Sequence, residues 1–398
     1  MRCKRSASRT LIAALSLLLP TPAHADPSAT MRVDGLVDTQ QSGGVLVLQG
    51  DASHSAVSAE ALLWTGGATT TGVVADALVF AIRVREPHGL AELRVGRFLF
   101  SSGAILPVQI DGASGIVRAP WGTKVEAVTG VPVTSVGAPT PLYGPQDFEW
   151  LVGGRISQVI VSRMTVGVSY VQRRDLDEIV DHQVGADLTA VLRWLDVAAR
   201  AAYDLTSPGI SDALVSGAAR AGPFRFEVFA ADRSPSRLMP ATSLFSVLGD
   251  FPSQSVGSSI HWKAAPRLDL WLTGAGQTVG GVYGGNGSAR ALLKLDDRGA
   301  GSLGLEVRRQ DVSTARWTGI RATATQPLLR TLRCGAEFEL VIPDDPQKGA
   351  AWPWGLVSLG WHPSSRWELA GALEAASTPI HDLELNALAR FSLFLGSK

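Results

Sequence analysis

The stretch LDVAARAAYDL, Leu195 to Leu205, alternates with a period of two. Leu195, Val197, Ala199, Ala201, Tyr203 and Leu205 fall on one side of an extended chain. Asp196, Ala198, Arg200, Ala202 and Asp204 fall on the other. Successive strand side chains point to opposite faces, so this is a strand pattern and not a helical one. The apolar face needs an apolar neighbour, which is either a protein core or lipid.

The pattern recurs along the chain. In DALVFAIRVR, Leu78, Phe80, Ile82 and Val84 oppose Arg83 and Arg85. In LAELRVGRFLF, Leu93, Val95 and Leu99 oppose Glu92, Arg94 and Gly96. PFRFEVFA, RLDLWL, GLEVRR, RCGAEFEL and RWELAGALEA repeat it. No amphipathic helix longer than two turns stands out. Strands at near-regular spacing, separated by Gly, Pro, Asn and Asp, make an all-β chain. The count is 22. Without the first and weakest pair it is 20, and 18 is a third option. The connections alternate short and long, as in a meander with tight turns at one end of a barrel and longer loops at the other. GAGQTVGGVYGGNG (Gly274 to Gly287) reads as a strand end and a surface loop, and DLDEIVDH (Asp175 to His182) as a solvated acidic loop.

The N-terminus reads as an export signal. Arg2, Lys4, Arg5 and Arg9 precede the apolar LIAALSLLL, and Ala23-His24-Ala25 is a small-x-small cleavage site. Residues 1–25 are therefore a signal peptide, and 26–398 form one transmembrane β-barrel. Removing the four signal cations leaves an excess of four acidic groups. That balance implies no nucleic-acid partner. Of the two cysteines, Cys3 leaves with the signal, so Cys334 has no partner for a disulfide. No later segment has the run of about 18 apolar residues that a helical span needs.

Two features favour lipid over a soluble core. Charged residues are 18% of the chain, against about 25% in average soluble proteins. A propeller would carry a motif every 40–50 residues, and none is visible. Only closed barrels let strands satisfy every backbone group in lipid. The expected fold is thus a closed antiparallel transmembrane β-barrel with short periplasmic turns and longer outer loops.

The last strand, ELNALARFSLFL, places Leu385, Ala387, Ala389, Phe391, Leu393 and Leu395 on one face. This resembles the terminal strand signal of bacterial outer-membrane barrels. With the signal peptide and the alternation, the whole mature chain resembles a porin-like outer-membrane β-barrel of a Gram-negative bacterium. RVGRFLFSSGAILPVQIDG is also similar to stretches in barrels of high-GC bacteria, including polysaccharide-export barrels. The resemblance implies an outer-membrane location, contact with outer-membrane lipid and lipopolysaccharide, and insertion by the barrel-assembly machinery. No plug domain or peptide-binding repeat domain precedes the strands, so it does not extend to TonB-dependent transporters or assembly factors.

No catalytic arrangement appears. The histidines form no HExxH or metal-ligand spacing, and no GxSxG elbow exists. The chain is expected to be no enzyme and to need no cofactor or metal. The informative chemistry is the polar face. If the register holds, Arg83, Arg85, Glu92, Arg94, Asp196, Arg200, Asp204, Arg225, Glu227, Arg267, Asp269, Glu306 and Arg308 line the lumen, with Arg290, Lys294, Arg333, Glu337, Glu339, Arg366, Glu368, Glu374 and Arg390. Arginine pairs with carboxylates in a fixed fork and stays charged. A charged lining makes a water-filled channel. The expected function is passive passage of small polar solutes. The alternatives are an export barrel working with periplasmic partners, and a structural or adhesive barrel without flux. The segment Arg233 to Ser255, with its apolar SLFSVL, is the expected constriction, and VTSVGAPTPLYGPQDF is a second candidate. The mature chain begins at Asp26, which intact-mass measurement of protein from the envelope checks.

Overall fold

The computed structural model describes residues 28–396 apart from 38–41, 55, 70, 134–148, 176–177, 235–251, 298, 313–314, 346–350 and 378–382. Its elements are all strands. They are β1 (Ser28–Val37), β2 (Ser42–His54), β3 (Val57–Ala68), β4 (Thr71–Arg85), β5 (Ala91–Ser102), β6 (Ile105–Arg118), β7 (Thr123–Pro132), β8 (Glu149–Val161), β9 (Met164–Asp175), β10 (Glu178–Val191) and β11 (Leu195–Asp204). The second half holds β12 (Gly209–Ala221), β13 (Phe224–Arg233), β14 (Ser253–Ala265), β15 (Leu268–Val279), β16 (Val282–Lys294), β17 (Ser302–Val312), β18 (Ala315–Pro327), β19 (Leu332–Pro343), β20 (Trp352–Ser364), β21 (Trp367–Ala376) and β22 (Glu384–Gly396).

Each strand pairs antiparallel with the next, and β1 pairs with β22 from Ser28↔Gly396 to Val37↔Ala387. The sheet therefore closes, and the count of 22 stands. A circular ring of that many strands, about 4.8 Å apart and tilted about 40°, is roughly 40 Å across. The signal segment 1–25 lies outside the described residues.

The alternation decides which face meets what. One face carries Phe80 (64% exposed), Val168 (65%) and Leu373 (68%), together with Ile82, Leu93, Val95 and Val228. The other carries the ion pairs, several of which skip a strand, such as Arg155–Asp187 from β8 to β10 and Arg308–Glu339 from β17 to β19. Side chains converge on the concave side of a closed sheet and diverge on the convex side. The ion-pair face is the lumen, and the exposed apolar face is the outside. A closed barrel with an apolar exterior is the architecture of a bacterial outer membrane.

The two ends differ. Both termini lie at the same end as the turns 162–163, 222–223, 266–267 and 365–366. Aromatic side chains gather there on the outer face. Phe224 stacks on Trp262 (5.6 Å, 17°), Trp361 meets Trp367 edge-on at 5.1 Å, and Trp121 and Trp194 stand exposed in turns. This is the interfacial girdle that amphipathic rings form at the headgroup level.

At the opposite end the expected alternation of short and long fails in places. Among the described residues, tight hairpins fall there. GAGQTVGGVYGGNG is not a loop: β15 and β16 run through it and turn only at Gly280–Gly281, whose φ values of 56° and 81° require glycine. DLDEIVDH is likewise mostly strand, with Glu178 paired to Asp175. The glycine and acidic composition misled because such residues usually mark turns, while the ladder on either side holds them extended.

The barrel wall bends sharply at one place. Ala81, Gly96, Gly112 and Gly130 are register partners across β4, β5, β6 and β7. A Cβ on Gly130 would sit 2.6 Å from the Asp111 carbonyl oxygen and 2.8 Å from the Gly112 Cα. Only glycine lets neighbouring backbones approach this closely. Above this row β5 leaves β4, since their pairing spans only Phe80↔Arg97 to Arg85↔Glu92. Gly130→Val is expected to lower unfolding stability by about 2 kcal/mol through overpacking. Gly371→Ala, whose Cβ would meet nothing nearer than 3.7 Å, is expected to change it by less than about 0.5 kcal/mol. Urea titration of the vesicle-inserted protein measures both.

A charged lumen narrowed by an inward hairpin

Strand register puts the named candidates other than Arg267 on the face that carries the ion pairs. Glu92 is the hub of one cluster, with Arg83 Nε at 3.3 Å, Arg85 Nη2 at 3.1 Å and Arg118 Nη2 at 3.8 Å. Arg94 pairs with Glu60 and lays its guanidinium 4.5 Å from the centre of the Phe98 ring. Asp196 accepts from Arg220 at 2.9 Å, and Arg200 reaches Asp212 at 3.1 Å. Asp204 is buried, and its carboxylate accepts the Thr206 amide at 2.8 Å. Arg225 pairs with Glu227 at 2.6 Å, which also accepts from Ser259. Asp269 lies between Lys294 (2.8 Å) and His261 (3.2 Å). Arg308 pairs with Glu339, and Glu306 stands in register between Arg290 and Arg321.

Arg267 is the exception. It sits in the turn before β15 and forks onto Asp297 of the next turn at 2.6 and 3.0 Å. It braces two turns at the rim, because β15 starts one residue later at Leu268.

Several inward groups escaped the sequence reading. Glu126, Arg155 and Asp187 form the most sheltered relay in the wall. Arg155 donates to both carboxylate oxygens of Asp187 (2.9 and 2.6 Å), and its Nη1 lies 3.7 Å from Glu126. Lys124 also pairs with Glu126. The phase of GRISQV and QVGADL carries the signal, since both place the charge opposite apolar neighbours.

The hairpin of β5 and β6 lies on this relay. Its tip, Ser102 to Ala104, is buried or nearly so. Ser102 Oγ donates to Glu126, and Ala104 lies over Gly185 of β10 so closely that a Cβ there would be 2.6 Å from its own. A tip that touches inward side chains of β7, β8 and β10 lies folded over the inner face of the neighbouring wall. Under it Phe98 and Ile110, both 0% exposed, pack with Ala81, Val128, Leu151 and Val171, and with Phe100 and Val108. Burying such side chains contributes on the order of 2 kcal/mol each. This is the one apolar cluster of buried residues among the described residues, and it fixes the hairpin to the wall.

The departure of β5 leaves carbonyls of β4 without a ladder, and side chains replace it. Arg97 Nη1 donates to Asp76 at 2.8 Å and to the Ala77 carbonyl at 3.1 Å, while its other nitrogens fork onto Asp111 at 2.7 Å. Gln109 donates to the Leu78 carbonyl at 2.8 Å. Unpaired backbone groups are costly, so these bonds permit the bend.

Among the described residues, the segment that leans into the lumen is the tip of the β5–β6 hairpin. Between 233 and 255, residues 235–251 lie outside the described residues; Arg233 itself pairs with Asp212 at 2.9 Å. VTSVGAPTPLYGPQDF also falls almost wholly outside them.

Among solved structures, the chain is similar to the translocation pore of the P pilus usher PapC (8% identity, 94% of this chain and 100% of that one, TM-score 0.47). It is also similar to Pseudomonas aeruginosa OccK2 (OpdF) (9%, 94% and 98%, 0.47) and to Pseudomonas aeruginosa OpdK solved with vanillate (12%, 94% and 99%, 0.43). These likenesses are weak, and the barrel described above rests on its own strand pairing. No protein-family model matches the chain, and no curated protein sequence matches it.

A disulfide tests the inward hairpin. With Cys334 replaced by Ser, the pair Ala104→Cys and Gly185→Cys is expected to oxidise readily, the tip moving by about 1 Å to reach disulfide geometry. Mass spectrometry of the non-reduced peptides reads it. A hairpin standing outside the lumen leaves both thiols free.

Proposed function

We propose that this chain is an outer-membrane channel that passes small polar solutes passively. The observation that carries this reading is the inward face. Many of its charges are matched in pairs along the wall, and one hairpin leans inward from the wall. Matched pairs keep a lumen wet without a large net field, so solutes of either sign or none can enter. The narrowing favours small solutes over polymeric or folded cargo, and so favours this reading over an export barrel working with periplasmic partners. Outer-membrane lipid, lipopolysaccharide and the barrel-assembly machinery are the partners such a barrel needs.

Planar-bilayer recordings of the refolded mature chain are expected to show stable, discrete conductance steps. Shortening the hairpin by replacing residues 100–107 with a two-residue turn is expected to raise the step about twofold or more, as a larger open section conducts more. A membrane-inserted protein with no steps in either form would overturn the channel.

A further inference from the structure

We infer that the lumen wall of β18–β20, near the mouth opposite the termini, is a binding subsite for a neutral saccharide. The inference rests on the channel reading only for its purpose, since the subsite binds whether or not solute flows. Trp352 and Trp354 of β20 face inward, in register with Val341 and Glu339 of β19. With Arg321, Glu337 and Glu339 they border a cavity of about 370 Å³.

The indoles are in an unusual place. The girdle tryptophans at the other end face outward, where lipid headgroups receive them. Trp354 instead faces a polar lumen and is half-buried there, so part of its ring still meets water. Among the described residues it stacks on no other ring and no guanidinium. Trp271, also inward, differs: it stacks flat on His261 (4.7 Å, 4°) with the Arg290 guanidinium 5.4 Å away, so its faces are occupied. A half-buried ring that borders a cavity beside fixed polar groups is the arrangement that ligand sites use, an apolar platform with a few placed donors and acceptors.

The polar groups select the ligand class. Arg321 Nη2 pairs with Glu337 at 2.5 Å, and Arg308 pairs with Glu339. Each charge has its partner, so no surplus awaits a carboxylate or an ammonium. A charged ligand would lose hydration here with nothing to offset it. A flat apolar ligand would cover the two pairs and leave their spare lone pairs and N–H groups unmet. A pyranose meets both demands. Its C–H face, slightly positive, lies on the negative face of an indole. Its rim of hydroxyls donates to carboxylate oxygens and accepts from guanidinium N–H groups.

The test uses the detergent-solubilised mature chain, with glucose, galactose, sucrose and maltotriose as probes and glucuronate and benzoate as charged controls. Tryptophan fluorescence and calorimetry are expected to show saturable binding of at least one neutral sugar and weaker binding of both acids. Trp354→Ala is expected to weaken that sugar about tenfold, while Trp354→Phe, which keeps a ring, loses less than about threefold. If Trp354→Ala fails to insert, Glu337→Gln, which breaks the charge match but keeps the shape, is expected to weaken the sugar and favour glucuronate. No binding of any neutral probe, binding indifferent to Trp354, or tighter binding of an acid would each overturn the subsite. In bilayers the same sugar is expected to reduce the current of the unaltered chain and not of Trp354→Ala. Current without sugar sensitivity removes the subsite and leaves the channel. Sugar binding without current removes the channel and leaves the subsite.

Discussion

Everything in this structure depends on backbone hydrogen bonding where water is absent. A strand in lipid cannot leave its amides and carbonyls unpaired, so the sheet must have no edge. The pairing of β1 with β22 over ten residues meets that condition. Once the sheet is closed, each side chain has only two directions. The alternating pattern then sorts the chain into an apolar outside and a charged inside without any conventional core.

The same constraint explains how the wall is allowed to bend. Where β5 leaves β4, the lost ladder is replaced by Arg97 and Gln109 donating to the exposed edge. The glycine row supplies the space, and the cluster around Phe98 and Ile110 supplies the burial. Three separate features therefore produce one inward hairpin. Its tip rests on the Glu126–Arg155–Asp187 relay, so the most sheltered ion pairs of the lumen are also the ones that seat the constriction. Electrostatics and narrowing are coupled at that point. By contrast, the wall of β18–β20 carries inward tryptophans beside matched charges, and it is there that a solute has something to hold.

Which side chains share a face within a strand was legible from the alternation. Arg83, Glu92, Asp196, Arg200 and Glu227 follow from period-two counting, because the strand repeat leaves no choice of face. Counting failed at strand ends. Arg267 is in phase with Asp269, but it lies outside β15 and braces a turn. It also failed on glycine-rich and acidic stretches, where composition suggests a loop and the neighbouring ladder imposes a strand. Arg155 and Asp187 are in phase with their strands, but nothing in either strand alone shows that the two meet, since the pair skips β9.

The sequence by itself determined the class of fold, the number of strands and which side chains share a face within a strand. These depend on local periodicity, which one strand displays without its neighbours. Tertiary structure alone decided which charges meet, which tryptophans face lipid and which face the lumen mouth, and where the passage narrows. Those depend on register across many strands and on a bend made by glycines that lie far apart in sequence. The alternation of RVGRFLFSSGAILPVQIDG cannot show that its strands turn inward, because the groups that hold them there belong to β4, β7, β8 and β10.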